Sequence, residues 1–579
     1  MKTAKKRMSR TNFLTGLLLV AFGLIVGRLF QLQIIDNQKY LALADAEQMR
    51  RFEIPARRGL IYAMDEKTPI KLVMNETIYT VFADPQIIKE ADKNKMIEVL
   101  RQTIGGNLRD NFESLLDKKE TRYQILATKV NRKQAELIKK EEFSGIGFQE
   151  TSQRVYPEGK LAAQVLGFVN SEGGQYGIEG SLNKELSGTN GLLKTVTDVA
   201  GVPLTIGNRD IDTPAENGKN IVLSIDRNIQ AQTEKILKNR LEKSGAKEGS
   251  VLVMDPQTGK IMAMANFPTY NPAEFFKVQD AAAFNNRTAT APYENGSVIK
   301  ALTMAMGIDT GVADQNSTYY NTDSVKIDDI TVKNAVLGHT GTITMQTAMN
   351  YSLNTGMVEI ASRLGGGRIT KEARDTMYDY YHNRFGLGQK TGLEIAESSG
   401  ILISPDEVQG NAVRYSNMSF GQGMDLTMVQ TATAFSAAIN GGTLYKTSII
   451  NGEVDKYGNF AKKDPEIRKS NVVKSTTSDT LKQTLIDARR SVGMNSDLEG
   501  YQVGGKTGTS ETVRDGRYVA DETIASYLGF GGNNSPKFVI MVSVSGAGQN
   551  LQGSQDAGPI FTELSNWMLN YLKVQPKGN

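Results

Sequence analysis

The chain has 579 residues, 39% hydrophobic and 22% charged, with a net charge of +4. That length predicts two or three domains, and the near-neutral balance speaks against a nucleic-acid binder. Cysteine is absent and only His339 and His382 offer imidazole, which excludes disulfides and cysteine nucleophiles and leaves zinc with little but carboxylates; no cofactor or metal is expected.

Residues 1–12 form a basic tail with Lys2, Lys5, Lys6, Arg7 and Arg10 and no acidic side chain. Residues 13–35 follow as an apolar run whose single charge is Arg28. About twenty such residues span a bilayer core as a helix, and an arginine near its end can snorkel. Positive residues stay cytoplasmic, so this single transmembrane helix predicts a plasma-membrane protein with the rest of the chain extracytoplasmic. A cleavable signal peptide is the rival. Against it, residues 36–40 separate its small-x-small candidates, Ala42–Ala44 and Ala44–Ala46, from the apolar run.

Gln38 to Arg51 has a helical pattern, predicting a continuation of the anchor. Alternating runs such as Thr77–Phe82 predict strands over 53–85. The charged stretch 90–145 predicts small helices, and from Gly147 to 218 glycine-rich turns punctuate short strands. Residues 36–218 therefore read as an α+β module, a spacer or docking platform without a catalytic constellation. A boundary near Glu216–Lys219 opens residues 219–579. A strand at Ile221–Ile225, an amphipathic helix at Gln230–Ser244 and a hairpin of Val251–Met254 with Ile261–Met264 come first. Strands Ile524–Phe530 and Phe538–Ser545 and a helix at Pro559–Leu572 come last. Strands at both ends of a mostly helical middle predict an α+β domain whose sheet joins distant segments.

Three short elements carry chemistry: Ser297-Val-Ile-Lys300, Ser352-Leu-Asn354 and Lys506-Thr-Gly508. Each is weak alone, since Ser181–Lys184, Ser244–Lys247 and Lys390–Gly392 match parts of the pattern. Context favours the first three. Ser297 follows a turn and opens an apolar helix, which places Lys300 one turn away on the same face. A serine hydroxyl needs a base, and Lys300 can serve only if burial or a nearby positive charge, such as Lys506, keeps its amine partly neutral. Ser352 can relay the proton to a leaving amine, and Asn354 can orient Lys300 and the substrate peptide. Backbone N–H groups of Ser297 and Thr509 are the expected oxyanion hole. Thr507, Thr509 and Lys506 can hold a terminal carboxylate, with Gly508 leaving the approach clear.

A phosphate-loop pattern also fits, at Gly500–Thr507. It requires an apolar strand before and a helix after, and polar residues flank it on both sides instead.

In combination these motifs resemble the class B penicillin-binding proteins. The resemblance extends over Arg58–Tyr62, Gly177–Glu179 with Leu186–Gly188, Met254–Gly259, Ser419–Gly423 with Thr427–Gln430, Asn440–Gly442 and Ala557–Phe561. It implies a bacterial plasma-membrane anchor, an elongated α+β pedestal of the dimerisation type, and a serine-transpeptidase domain with an antiparallel sheet and helices. It further implies that Ser297 attacks the penultimate D-Ala carbonyl of a peptidoglycan stem peptide, releases D-Ala, and passes the acyl group to a neighbouring amine. β-Lactams would acylate the same serine, and a polytopic glycan polymerase is the implied protein partner. Asn295 stands where the family usually has proline, and Ala63–Glu66 replaces a common Asp-Arg-Asn-Gly turn. Phe82–Pro85 and the stretch after Lys300 resemble the division branch more than the elongation branch. Two other readings remain: a carboxypeptidase or β-lactamase in which water replaces the amine, and a non-catalytic assembly scaffold.

Overall fold

The computed structural model describes residues 10–40, 49–196, 211–491, 497–514 and 517–577. Lys2, Lys5, Lys6 and Arg7 and both small-x-small candidates lie outside the described residues. The chain divides into two compact units, Met1–Arg58 with Ser187–Gly218, and Gly59–Leu186 with Lys219–Asn579.

In the first unit Arg10–Ile35 is one helix of 26 residues, long and apolar enough to cross a membrane. Its α-helical part, Arg10–Phe30, buries no residue, and Gln31–Ile35 closes it as a π-turn. The helix expected to run through Arg51 does not do so. Residues 41–48 are outside the described ones, and Met49–Ile54 is a strand paired antiparallel with Gly191–Val196, which in turn pairs with Ile211–Thr213. Arg51-Phe-Glu-Ile54 alternates at period two, and its partner lies some 140 residues away, where local helical periodicity has no access to it.

The second unit holds two large sheets. The first contains β1 (Ile61–Asp65), β2 (Thr68–Ala83), β3 (Gln124–Asn131), β4 (Ile146–Val155), β5 (Asn220–Asp226) and, farther along the chain, Ile450–Val454 and Phe460–Lys462. β2 is long enough to serve two neighbourhoods: Thr68–Val73 pairs with β1, and Met74–Ala83 with β4. β5 joins β1 in parallel, Ile221 opposite Ile61, so the sheet crosses from residues before 218 to residues after it. Helices Glu90–Ile104 and Arg132–Lys139 cover the far end around Val81, Met96, Leu100, Leu126 and Ile138. β3 was not expected within the charged stretch 90–145; its apolar Leu126, Ala127 and Val130 are buried and its partner is again distant in sequence.

The second sheet is antiparallel throughout and has five strands. β6 (Glu248–Met254) and β7 (Ile261–Phe267) form a hairpin, and β6 pairs with the last strand in the chain. The order is β7, β6, Pro536–Ser545, Arg517–Gly532 and Gln502–Arg514, which leaves Gln502–Arg514 at the edge. We number Ile450–Val454 as β8, Phe460–Lys462 as β9, Gln502–Arg514 as β10, Arg517–Gly532 as β11 and Pro536–Ser545 as β12.

Alternate residues of this sheet enter opposite cores, as period-two geometry requires. Val251 and Val253 pack with helix α1 (Arg227–Ser244) and with the closing helix Gly558–Tyr571. Leu252 and Met254 face the helical middle. There α2 (Lys300–Thr310) is the central element, with nine of its eleven residues buried. A helix apolar on every side must be enclosed. Each fully buried Leu or Met contributes roughly 1.5–3 kcal/mol of transfer free energy, so the enclosure holds even with a lysine at its first position.

Candidate active site

Ser297 lies in a single 3-10 turn, Gly296–Ile299, and the α-helix proper starts at Lys300. The expected helix N-terminus is therefore one turn tighter than the sequence suggested. Gly296 explains the tightness: its φ is +60°, and an added Cβ would meet the Thr509 carbonyl at 2.9 Å. Its N–H donates to Gly421 O at 3.0 Å. First-turn N–H groups such as that of Ser297 have no acceptor within their own helix.

Asn295, where proline is usual in the proteins the motifs resemble, secures the turn through its side chain. Nδ2 donates to the carbonyls of Tyr293 and Leu426, both at 3.2 Å, and Oδ1 accepts from Thr431 Oγ1. The Ser419–Gly423 segment clamps the same region. Ser419 O accepts from Thr303 Oγ1 at 2.6 Å, and Gly423 N–H donates to Glu294 Oε1 at 2.6 Å. The sequence marked this segment only as part of the resemblance and Asn295 only as a departure from it; Thr303 carried no signal of its role.

The Lys300 side chain is fully buried. Its Nζ donates to Ser352 O at 2.6 Å, Ser352 Oγ at 3.1 Å and Asn354 Oδ1 at 2.7 Å. Burial, reinforced by the nearby Lys506 charge, holds its ammonium well below the usual lysine range. Ser352 occupies the connection between α3 (Met345–Asn350) and α4 (Asn354–Arg363) with φ of +57°, a left-handed backbone that non-glycine residues rarely adopt. This conformation lets both its carbonyl and its hydroxyl face Lys300. Asn354 is held at its other end, where Nδ2 donates to Lys333 O at 2.8 Å.

Lys506 is buried on the edge strand β10, and burial lowers its pKa to about 7. Its Nζ donates to Thr507 Oγ1 at 3.3 Å. From Lys506 to Ser510 along β10, Lys506, Gly508 and Ser510 are buried, while Thr507 is half-buried and Thr509 exposed. Alternation sets the Cβ atoms of Thr507 and Thr509 on the other face from that of Lys506, whose long side chain still reaches the Thr507 hydroxyl. Gly508 clears the way for the nucleophile turn: a Cβ there would meet Asn295 O at 2.9 Å and Val298 Cγ1 at 3.0 Å. Thr509 Oγ1 accepts from Gly553 N–H at 3.2 Å.

Three remote segments thus meet around one turn. Lys300, Ser352 and Asn354 are hydrogen-bonded, and Lys506 acts on Lys300 electrostatically. Gly296 and Gly508 allow β10 to touch the Ser297 turn. The decoy at Lys390–Gly392 lies elsewhere, with the Thr391 and Gly392 N–H groups on the Glu397 carboxylate. Gly505-Lys506-Thr507 runs within a strand, and no helix follows it as a phosphate loop demands.

Comparison with known proteins agrees with this geometry. Residues 249–566 match the penicillin-binding protein transpeptidase domain, and residues 53–223 the penicillin-binding protein dimerisation domain. The chain is 29% identical over 570 residues to stage V sporulation protein D of Bacillus subtilis (strain 168), covering 97% of this chain and 85% of that protein. It is 27% identical over 582 residues to the peptidoglycan D,D-transpeptidase FtsI of Escherichia coli (strain K12), covering 98% and 92%. Among solved structures, penicillin-binding protein 2X from Streptococcus thermophilus superposes with a TM-score of 0.76 at 22% identity, over 90% of this chain and 80% of that one.

Proposed function

The chain belongs to the class B penicillin-binding proteins, and we propose that it is a membrane-anchored peptidoglycan D,D-transpeptidase acting through an acyl-enzyme on Ser297. One observation carries the reading: a buried Lys300 held by Ser352 and Asn354 one turn from Ser297. A neutral amine has two N–H groups and one lone pair. Ser352 O and Asn354 Oδ1 accept the two N–H bonds, since neither can donate. The lone pair is left for a hydroxyl, and it takes the Ser297 proton as Oγ attacks the penultimate D-Ala carbonyl. The Ser352 hydroxyl, the one partner able both to accept and to donate, passes that proton to the departing nitrogen. The Oγ–C bond forms, the C–N bond breaks, and D-Ala leaves as the amine. An amine of a second stem peptide then attacks the ester and frees Ser297.

Ser297 and Thr509 N–H groups serve as the oxyanion hole in this reading, and Lys506, Thr507 and Thr509 receive the terminal carboxylate. The free edge of β10 suits a peptide added as an extra strand. A positioned base contributes about 10²–10⁴ in rate and one oxyanion donor about 10²–10³. β-Lactams enter as covalent inhibitors of the same serine. The helix Arg10–Ile35 would anchor the protein, with the basic N-terminus cytoplasmic and the catalytic domain outside. Residues 36–218 act as the pedestal, with residues 219–579 as the transpeptidase domain. A polytopic glycan polymerase would be engaged through the anchor and pedestal.

Labelling with a fluorescent penicillin tests the chemistry. Wild type is expected to be labelled and Ser297→Ala to be blank; equal labelling removes the assignment. We assign the protein to septal wall synthesis, on the resemblance of Phe82–Pro85 and the stretch after Lys300 to the division branch. Depletion should then produce filaments. Rounded cells would place it in elongation instead.

A further inference from the structure

A cavity of about 680 Å³ lies apart from the Ser297 site, and none of the residues placed there lines it. Its walls come from the turn after β1, from β5, β7 and β9, and from the end of the closing helix. Lys260 belongs to this wall. It is only 8% exposed, and its Nζ donates to two neutral acceptors, Asn451 Oδ1 and Lys463 O, both at 2.6 Å.

A buried ammonium ordinarily has a carboxylate partner, because burying an unpaired charge is costly. Among the described residues Lys260 makes no ion pair. The charged groups that act on it are Lys462 and Lys463, which repel it, and Asp464 and Glu394, which attract it. Glu394 is already committed to Ser448 Oγ at 2.6 Å and to the Ile449 N–H at 2.9 Å. Asp226, the buried carboxylate in the same wall, is saturated by the N–H groups of Glu66, Asn228 and Ile229 and by the Tyr571 hydroxyl. Lys573 is paired with Glu66 at 3.1 Å, whereas Lys462 makes no ion pair among the described residues. The third Lys260 N–H thus has no hydrogen-bonded anion among the described residues, since Asp464 attracts it only at longer range, and a second cation, Lys462, stands beside it. Met64, Met262 and Phe460 give the cavity an apolar stretch of wall beside its polar residues, among which Asp255 is engaged by the Gln257 N–H and the Thr258 hydroxyl.

We propose that this cavity binds a small organic anion, its carboxylate or phosphate head received by Lys260 and Lys462 and its apolar body lying against Met64, Met262 and Phe460. The volume falls in the range of about 300–1,000 Å³ usual for small-molecule sites. An occupant would touch both the segment before residue 218 and the domain after it, bracing the two. The proposal is independent of the transpeptidase reading.

The chain contains its own reporter. Its single tryptophan, Trp567, stacks on Tyr571 at 4.7 Å between centroids, and Tyr571 lines the cavity. The full-length protein in detergent is titrated with butyl phosphate and with hexanoate at constant ionic strength, reading Trp567 fluorescence and Tm. A saturable response in either readout to at least one probe is expected, and the stronger probe identifies the head group. Lys260→Met should weaken that binding about tenfold or more, as loss of a charge-assisted bond requires, and Lys462→Gln several-fold. Silence of both readouts with both probes overturns the proposal, as does unchanged affinity in Lys260→Met. Should that variant fail to fold, as judged by loss of its cooperative thermal transition, Lys462→Gln decides: weaker binding sustains the site and unchanged binding removes it.

Discussion

The Lys300 ammonium donates to Asn354 Oδ1 across 2.7 Å, although 54 residues separate them in sequence. Two substitutions isolate what this bond does. Asn354→Ala removes an acceptor and lets the lysine wander, and the second-order rate of penicillin acylation should fall about 10–10²-fold, part of what a positioned base supplies. Asn354→Asp keeps an acceptor but adds a negative charge that favours the protonated lysine. Its loss should therefore be deep at neutral pH and recover as pH rises, whereas the Ala defect stays constant. Parallel pH profiles for the two variants would deny Asn354 any part in setting the Lys300 proton.

The two lysines predict a bell-shaped dependence of acylation on pH. On the acid side the rate rises as Lys300, held below its usual range by burial and by Lys506, gives up its proton. On the alkaline side it falls as Lys506, with a pKa of about 7, loses the charge that receives the carboxylate. Lys506→Gln should abolish the alkaline limb. The same change removes one of the two causes depressing Lys300, so the acid limb should move to higher pH. Stopped-flow acylation over about pH 5–10 reads both limbs. An alkaline limb that persists near neutrality in Lys506→Gln belongs to another group.

Ser352 combines a functional hydroxyl with a φ of +57°. A left-handed backbone costs a residue bearing a Cβ about 1–2 kcal/mol, and glycine escapes this. Ser352→Gly and Ser352→Ala both remove the hydroxyl, so both should slow acylation to the same extent. Only the glycine variant relieves the backbone, and it should be the more stable of the two by about 1 kcal/mol. Equal stabilities would mean that the turn is not strained, and unequal rates that more than the hydroxyl is lost.

Arg154 and Glu179 form an ion pair at 2.6 Å with side chains 5% and 0% exposed. Arg154 also donates to Gly59 O at 2.7 Å and Asn75 Oδ1 at 2.8 Å, so it fastens β4 and β2 to the Gly59 backbone and to the short helix Gly177–Ser181 that carries Glu179. Glu179→Ala would leave a guanidinium buried without this partner, at a cost of about 3–5 kcal/mol in denaturant unfolding. Acylation per folded molecule at low temperature should not change, since neither residue approaches Ser297. A stability loss well under 1 kcal/mol would mean that water reaches Arg154.

The sequence made the order and spacing of the three motifs visible, and with them the demand for a dry lysine. A period of 3.6 puts Ser297 and Lys300 on one face without further information. It could not say that Gly508 matters for the approach of β10 to the turn, because that clearance depends on Asn295 and Val298 from another segment. The same limit hid β3 and the strand Met49–Ile54. Both owe their conformation to remote partners, while their local composition also suits helices. Helices α1 and the closing helix carried their own periodicity and emerged within a few residues of their observed ends.

Asn295 offers a test of how one residue replaces another's rigidity by hydrogen bonding. Its φ of −71° matches the value a proline ring imposes, and its N–H donates to no other described residue. The backbone should therefore accept Asn295→Pro. The side chain is a different matter. Thr431, fully buried, would lose the acceptor of its hydroxyl, and the carbonyls of Tyr293 and Leu426 would lose a donor. An unsatisfied buried polar group costs about 1–3 kcal/mol, so Asn295→Pro should destabilise by that amount. Thr431→Val in the same chain removes the stranded hydroxyl while keeping its shape, and the double variant should recover a large part of the loss. Penicillin acylation should change only several-fold, because Gly296 and Gly421 still fix the turn. If the double variant is no more stable than Asn295→Pro alone, the Asn295–Thr431 bond does not support the nucleophile turn.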